Sequence, residues 1–191
     1  MHRIRAIETH YNGYHFRSRS EARFAVFLDT IGLEYSYELE GYDLGPRLGY
    51  YLPDFYIPDL DALIEIKGPE PTDVEVSKLK AVCVGTKKDG YIFYGAIEIP
   101  KRSSKANLGI LYLPDTASVT LVEHQIWTQC PKCKRFFISE YGNFVWCDCI
   151  YKQYKVFGNP HSFALVQGYK AAKSARFEHG ETPKPKRNWR R

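Results

Sequence analysis

Three residues near the middle of the chain have types and spacing that suit chemistry on a phosphate. Pro53-Asp54 is followed, after ten residues, by Glu65-Ile66-Lys67. Carboxylate oxygens are ligands that Mg²⁺ and Mn²⁺ prefer. A divalent cation held there would lower the pKa of a water molecule and neutralise charge that develops on a phosphate. Lys67 could hold the attacking water or stabilise the phosphate oxygens.

The strands predicted around these residues bring them to one face of a sheet. Two strands are predicted over 49–57 and 62–67, with a short turn between them. Glu65 and Lys67 are two apart on the second strand and project from the same face, and Asp54 lies on the first strand. A Glu and a Lys buried in an apolar strand are costly unless they serve each other or a metal. The alternative is an edge strand that exposes both to water, with an ordinary turn residue at Asp54.

The other elements are predicted from caps, chain breaks and periodicity. Ser18 or Ser20 starts a helix that Gly32 ends. Thr72 and Glu75 have the spacing of a capping box and start a second helix. In chain order, we expect a hairpin over 3–16, a helix from 18 to 32, strands over 33–39, 49–57 and 62–67, a helix over 72–84, strands over 91–94, 108–113 and 119–127, and a helix over 162–178.

In this order, the features resemble the PD-(D/E)xK superfamily of restriction-endonuclease-like nucleases, and especially its small phage and bacterial members. The segments that carry the resemblance are Phe16-Arg17-Ser18-Arg19-Ser20-Glu21-Ala22-Arg23, Tyr50-Tyr51-Leu52-Pro53-Asp54-Phe55 and Glu65-Ile66-Lys67. The resemblance covers about residues 5–95. It implies an α/β fold with an α-β-β-β-α-β core, whose mixed sheet is flanked by helices. It also implies an endonuclease that hydrolyses phosphodiester bonds in nucleic acid with Mg²⁺ or Mn²⁺.

The resemblance assigns roles to individual residues. By position, the catalytic residues would be Asp54, Glu65, Lys67 and Glu21. The ligands of Mg²⁺ or Mn²⁺ would be Asp54, Glu65, Glu21 and the main-chain carbonyl of Ile66. An alternative role for Glu21 is that of an acidic residue that is favourable in the first turn of a helix. The neighbouring Arg17, Arg19 and Arg23 could bind nucleic acid or simply solvate the helix face.

Four of the five cysteines crowd together in the C-terminal part of the chain. Cys130 and Cys133 are followed, after thirteen residues, by Cys147 and Cys149. Two close pairs of thiolates can form a tetrahedral Zn²⁺ site, which would be structural because it leaves no open position. The segment between the pairs predicts the β-hairpin of a zinc-ribbon-like module, with a turn at 141–143. The alternative is two redox-active or incidental cysteine pairs.

The charge distribution favours nucleic acid as the partner. Residues 1–70 contain seven Lys or Arg and twelve Asp or Glu, a balance of −5, whereas residues 123–191 contain thirteen and five, a balance of +8. Lysines and arginines bind phosphates, although an uneven soluble surface is the alternative. Candidate nucleic-acid-binding residues beside the first cysteine pair are Lys132, Lys134 and Arg135.

The cysteine pattern and the apolar segments indicate a cellular location. Cysteines grouped for a metal are typical of a reducing compartment, and the remaining Cys83 is expected to be buried and inert. No apolar run follows Met1, and no apolar stretch reaches membrane-spanning length. We therefore expect a cytoplasmic protein, in a bacterial cell or a phage-infected host, with no membrane partner.

The functions compatible with the sequence belong to different classes. The leading hypothesis is a metal-dependent endonuclease, with DNA as the expected substrate. The alternatives are a non-cleaving DNA-binding protein with a nuclease-like fold and zinc module, and a zinc-stabilised protein-interaction domain. The predicted domains are a nuclease core over 1–120, a zinc-ribbon-like module over 121–158, a C-terminal helix over 159–180 and a basic flexible tail over 181–191. The choice between DNA and RNA and the oligomeric state, a dimer included, stay open.

Overall fold

The structure, a computed structural model, describes residues 6–101, 107–147, 149 and 155–177. In chain order, the strands are β1 (Thr9–Tyr11), β2 (Tyr14–Phe16), β3 (Ser36–Tyr37), β4 (Tyr42–Asp43), β5 (Tyr50–Tyr51), β6 (Phe55–Ile57), β7 (Ala62–Lys67), β8 (Asp89–Tyr94), β9 (Leu108–Leu113), β10 (Ser118–Val122), β11 (Gln125–Gln129), β12 (Phe136–Glu140), β13 (Phe144–Trp146) and β14 (Lys155–Phe157). The helices are α1 (Arg19–Ile31), α2 (Gly45–Leu48), α3 (Asp73–Thr86) and α4 (Phe163–Ser174), and a 3₁₀ turn covers Pro58–Leu60. The predicted tail over 181–191 lies outside the described residues.

The first hairpin and helix form where local sequence signals predict them. Asn12 and Gly13 have φ angles of 48° and 84° in the turn between β1 and β2, as a tight hairpin turn requires. The Ser18 side chain caps α1 by accepting a hydrogen bond from the Glu21 N–H, and Gly32, with a φ of 75°, ends the helix. These observations confirm the predicted turn and both predicted ends of the helix.

A mixed sheet of six strands lies at the centre of the fold. The strand order is β10-β9-β8-β7-β6-β3. Strands β7 and β8 are parallel, and the other neighbours in this sheet are antiparallel. Strand β7 covers the predicted residues Ala62–Lys67. The predicted α/β class, with a mixed sheet and helices, is therefore confirmed.

The two faces of this sheet bury two apolar cores. Successive side chains of β7 point to opposite faces, so Ile64 joins one core and Leu63 the other. Helices α1 and α4 cover the first core, and α3 covers the second. Cys83 of α3 is fully buried, and burial raises the pKa of its thiol to about 12. Such a thiol stays protonated at neutral pH, as expected for an inert core cysteine.

Helix α4 packs directly against α1. A Cβ atom at Gly168 would lie 2.8 Å from the Ile31 side chain and 2.9 Å from Phe27, so only glycine allows this approach. The last helix was predicted to run to residue 178, but α4 ends at Ser174. Its first residue, Phe163, is 80% exposed. The residues of α4 that are buried are Leu165, Gly168, Tyr169 and Ala172.

Three predicted strands are shorter than expected or broken. The strand predicted over 33–39 is limited to β3. The strand predicted over 49–57 consists of β5, which pairs with β4, and β6 in the central sheet. Pro53 lies in the break and has no N–H to donate to a strand ladder. The strand predicted over 119–127 is divided into β10 and β11 at His124, whose φ of 56° lies outside the strand region.

The prediction of a β-hairpin between the two cysteine pairs is wrong, because the two strands in this segment do not pair with each other. Strand β12 pairs with β11, and β13 pairs with β14. The predicted turn at 141–143 is present, because the Asn143 N–H donates to the Glu140 carbonyl and Gly142 has a φ of 77°. This turn connects strands that pair with other partners rather than with each other.

Candidate active site and cysteine cluster

Glu65 and Lys67 form an ion pair near the end of β7. The Lys67 Nζ lies 2.6 Å from Glu65 Oε1 and 3.2 Å from Glu75 Oε1 at the start of α3. Glu65 is only 5% exposed, and its other oxygen accepts a 2.8 Å hydrogen bond from the Tyr51 hydroxyl. The alternative of an exposed edge strand is therefore wrong, because β7 lies between β6 and β8 and Glu65 is buried.

The charge of Lys67 is fixed by the carboxylates around it. Burial disfavours its ammonium, but Glu65 and then Glu75 and Asp54 outweigh this effect and raise the pKa of Lys67. Lys67 is therefore a cation at neutral pH. It can donate hydrogen bonds to an anion or a water molecule, but it cannot accept a proton as a general base.

Asp54 is held where the strand predicted over 49–57 breaks. Its Oδ2 accepts a 2.7 Å hydrogen bond from the Ile66 N–H, between Glu65 and Lys67 on β7. Asp54 is 9% exposed. Burial, followed by the negative charges of Glu65 and Glu21, raises the pKa of Asp54 well above its usual value. The structure thus brings the three predicted acidic residues within electrostatic reach of one another.

Glu21 is buried in the first turn of α1, and both oxygens of its carboxylate accept hydrogen bonds. Its Oε1 accepts a 2.6 Å hydrogen bond from the Ser18 hydroxyl, and its Oε2 accepts bonds from the Tyr37 hydroxyl at 2.6 Å and the Arg17 N–H at 3.1 Å. Burial and then the bond to Glu21 raise the pKa of Tyr37. Glu21 therefore lies in the first turn of α1, where its alternative role places it, while its charge also acts on Asp54.

The acidic site carries more negative than positive charge. Its carboxyl groups belong to Glu21, Asp54, Glu65 and Glu75, and its ammonium belongs to Lys67. Their oxygens are held by protein donors and are not gathered as tightly as metal ligands: among the described residues, only the four cysteines place ligand atoms all within 4.8 Å of one another. Carboxylates are nevertheless the type of donor that Mg²⁺ and Mn²⁺ prefer in proteins.

Sequence reasoning missed three residues of this site. Tyr51 and Tyr37 hold the carboxylates of Glu65 and Glu21, and Glu75 pairs with Lys67. The capping box predicted at Thr72 and Glu75 is confirmed, but no signal in the sequence connects it with Lys67. The only hint for Tyr51 is its place three residues before Asp54.

The three predicted arginines occupy different environments. Arg17 is exposed, and its Nε lies 2.7 Å from Glu38 Oε1. Arg19 and Arg23 are half-buried on α1. Arg23 also lines a cleft whose lining includes Ile66 of β7.

Four cysteine sulfurs form a cluster that could hold a metal ion. The Sγ atoms of Cys130, Cys133, Cys147 and Cys149 all lie within 4.8 Å of one another. The Sγ atoms of Cys147 and Cys149 are 3.2 Å apart, and those of Cys133 and Cys147 are 3.3 Å apart. Thiolates at about 2.3 Å from a tetrahedral Zn²⁺ would be only slightly farther apart. The cluster is therefore compatible with structural zinc, and none of its cysteines forms a disulfide.

The local backbone favours a thiolate at the first pair. Burial opposes ionisation of Cys130, but the backbone N–H groups of Cys133 and Lys132 outweigh it and lower the pKa to about 7. Hydrogen bonding with Cys147 raises the pKa of Cys149 to about 12. Without a metal, the thiols thus share their protons unevenly. The predicted nucleic-acid-binding residues Lys132, Lys134 and Arg135 are exposed beside this pair.

Comparison of the chain with protein-family models, with curated proteins and with solved structures gives no match. Across the described residues, none of the helices has the length and apolar character needed to cross a membrane.

Proposed function

We propose that the chain is a metal-dependent endonuclease of the PD-(D/E)xK type that hydrolyses phosphodiester bonds in nucleic acid, with DNA as the expected substrate. The observation that carries this proposal is that Asp54, Glu65 and Lys67 lie together. Asp54 accepts a hydrogen bond from the Ile66 N–H, and the two neighbours of Ile66, Glu65 and Lys67, form an ion pair. A purely structural role would not require two buried carboxylates and a half-buried lysine at the end of a central strand.

The charge balance of the site is the reason for a cation. A phosphate that approached the carboxylates of Glu21, Asp54 and Glu65 would be repelled, because Lys67 alone cannot offset them. Mg²⁺ or Mn²⁺ would be held by these carboxylates and by the main-chain carbonyl of Ile66. When bound, the cation would supply a Lewis acid for the phosphate and an activated water.

The protein's own residues have distinct tasks in this proposal. Lys67 donates hydrogen bonds to the attacked phosphate or to the attacking water, since its raised pKa keeps it charged. Glu75 would pair with Lys67 while the Glu65 carboxylate holds the cation. Tyr51 holds Glu65 in place through its hydroxyl. The site is thus positioned by β7, the segment before β6 and the start of α3.

The cysteine cluster would hold Zn²⁺ as a structural ion, separate from the cation of the acidic site. The exposed Lys132, Lys134 and Arg135 beside it would contact phosphates of the bound strand. Arg17, Arg19 and Arg23 would contact phosphates nearer the acidic site.

The experiment that tests the proposal is incubation of the purified chain with different nucleic acids. The substrates are supercoiled plasmid, single-stranded DNA, branched DNA and RNA, each with Mg²⁺, with Mn²⁺ or with a chelator. We expect cleavage with either cation and none with chelator, and plasmid nicking would establish internal cutting because the plasmid has no ends. Binding of these nucleic acids without cleavage of any of them would replace the proposal with a non-cleaving DNA-binding protein.

A further inference from the structure

A cleft with aromatic walls lies on the face of the sheet that α1 and α4 cover. Its volume is about 390 Å³, within the range of small-ligand sites. It is bounded by α1, α4, β8, β11 and the segment over 95–100. The rings that line this aromatic cleft belong to Phe24, Phe27, Phe93, Tyr94, Trp127 and Tyr169.

The aromatic cleft contains few polar groups, and these determine which ligands it could bind. Trp127 is 1% exposed, and its indole N–H has no hydrogen-bond acceptor among the described residues. A buried donor of this kind is costly unless a ligand supplies an acceptor. Arg23 and Lys173 add positive charge to the lining, and Glu98 adds one exposed acid. The cleft therefore suits a flat ligand with hydrogen-bond acceptors on its edge and a negative charge nearby.

The aromatic cleft and the acidic site share the end of β7. Ile66 donates its N–H to Asp54, while the same residue lines the cleft. Its neighbours Glu65 and Lys67 project from the opposite face of the strand. On α1, Ser20 lines the cleft and the next residue is Glu21. The two sites therefore lie on opposite faces of the sheet and meet at the end of β7, so a strand bound at the acidic site would have to pass around this end to place a neighbouring nucleotide in the cleft.

We propose that the aromatic cleft binds one unpaired nucleobase of the nucleic-acid substrate. This inference rests on the proposed function, because it takes the strand to be held at the acidic site. A base offers an apolar π-face for the rings and carbonyl or ring-nitrogen acceptors for the Trp127 N–H. A paired and stacked base cannot present its face, so the preferred substrate contains a bulge, a branch or a single strand, or it releases a base from the duplex.

The test compares DNA duplexes that differ only at one nucleotide. Three labelled duplexes are used: one fully paired, one with a single unpaired adenosine, and one with an abasic nucleotide in the place of that adenosine. Binding is followed by fluorescence anisotropy in Mg²⁺, and every protein carries Lys67→Ala so that the DNA stays intact. Ala96→Trp fills the cleft from an exposed position in its lining, Trp127→Phe removes the indole N–H, and Thr116→Trp is the control in an exposed turn.

We expect the parent protein to bind the duplex with the unpaired adenosine about tenfold more tightly than its abasic counterpart. Ala96→Trp and Trp127→Phe should lose this preference, and Thr116→Trp should keep it. Equal binding of the bulged and abasic duplexes by the parent protein would overturn the inference, as would a preference that survives Ala96→Trp. Failure of the proposed function would be seen separately, as an absence of cleavage by the chain with Lys67 intact.

Discussion

Tyr51 donates a 2.8 Å hydrogen bond to Glu65, and both side chains are buried. The hydroxyl thereby holds the carboxylate that also pairs with Lys67. Since the ring of Tyr51 belongs to the core beneath α3, a change limited to the hydroxyl should affect the site more than the fold.

We predict that Tyr51→Phe reduces cleavage and raises the Mg²⁺ concentration needed for half-maximal activity. A hydrogen bond to a charged group contributes about 1.5–3 kcal/mol, so a change of about tenfold or more is expected. The matched control is Tyr56→Phe, which removes a tyrosine–carboxylate bond to Asp61 on the surface. If both variants have the same Mg²⁺ titration as the wild type, Tyr51 does not position Glu65 for a cation.

Asp54→Asn should stabilise the protein when no divalent cation is present. Burial and neighbouring charges raise the pKa of Asp54 in the folded state above the unfolded value of about 3.9. The wild type therefore loses stability as the pH rises from that value towards the raised pKa, and the neutral asparagine avoids this loss. Each kcal/mol gained corresponds to about 2–4 °C in melting temperature.

The measurement is thermal unfolding of wild type and Asp54→Asn in chelator between pH 4 and pH 7. The advantage of the variant should be present at pH 7 and shrink as the pH falls towards 4. Added Mg²⁺ should raise the melting temperature of the wild type more than that of the variant. The control is Asp59→Asn, at an exposed carboxyl in the turn before β7. A variant that is less stable than the wild type at pH 7 in chelator would contradict the crowding of carboxylates at this site.

Glu75→Gln should slow cleavage because it removes one of the two carboxylates that contact the Lys67 ammonium. We expect a loss of about tenfold, corresponding to about 1.4 kcal/mol. Asp73→Asn is the matched control, since Asp73 also lies in the first turn of α3 and its loss changes the helix dipole similarly. Equal rates for the two variants, measured under conditions where both are folded, would assign Glu75 to the helix cap alone.

Much of this arrangement could be predicted from local sequence signals. The caps of α1 and α3 and the bounds of β7 follow from residue types within a few positions of each element. Strand pairing at long range could not be predicted in this way. Strand β13 pairs with β14, which follows the last cysteine and has no turn signal to connect the two. The break at His124 was also missed, because positive φ angles are uncommon at residues other than glycine.

The acidic site was predictable as a set of residue types but not as a network. The spacing of Asp54, Glu65 and Lys67 indicates that they share a strand pair. It cannot indicate that Asp54 leaves the strand ladder to accept the Ile66 N–H. The roles of Tyr37 and Tyr51 depend on segments that approach each other only in the folded chain. The spacing of residues along the chain does not indicate such long-range contacts.

Purified protein should contain about one zinc ion per chain, held by the cysteine cluster. Cys130→Ser should lose this zinc and lower the melting temperature, because the strands around the cluster would lose a shared crosslink. Cys83→Ala is the control, since Cys83 lies in the core beneath α3 and should leave the zinc content unchanged. The measurement is the zinc content of each protein after purification without chelator. Zinc that is retained in Cys130→Ser, or that is absent from the folded wild type, would contradict the assignment.

The central claim, that the acidic site cuts nucleic acid, is tested most directly by the rate of plasmid nicking in Mg²⁺. Wild type is compared with Lys67→Ala and with the control Lys80→Ala, a lysine elsewhere on α3. If Lys67 stabilises the attacked phosphate as proposed, its removal should slow nicking about a hundredfold or more, while Lys80→Ala should retain the wild-type rate. Nicking by Lys67→Ala at the wild-type rate would contradict the account.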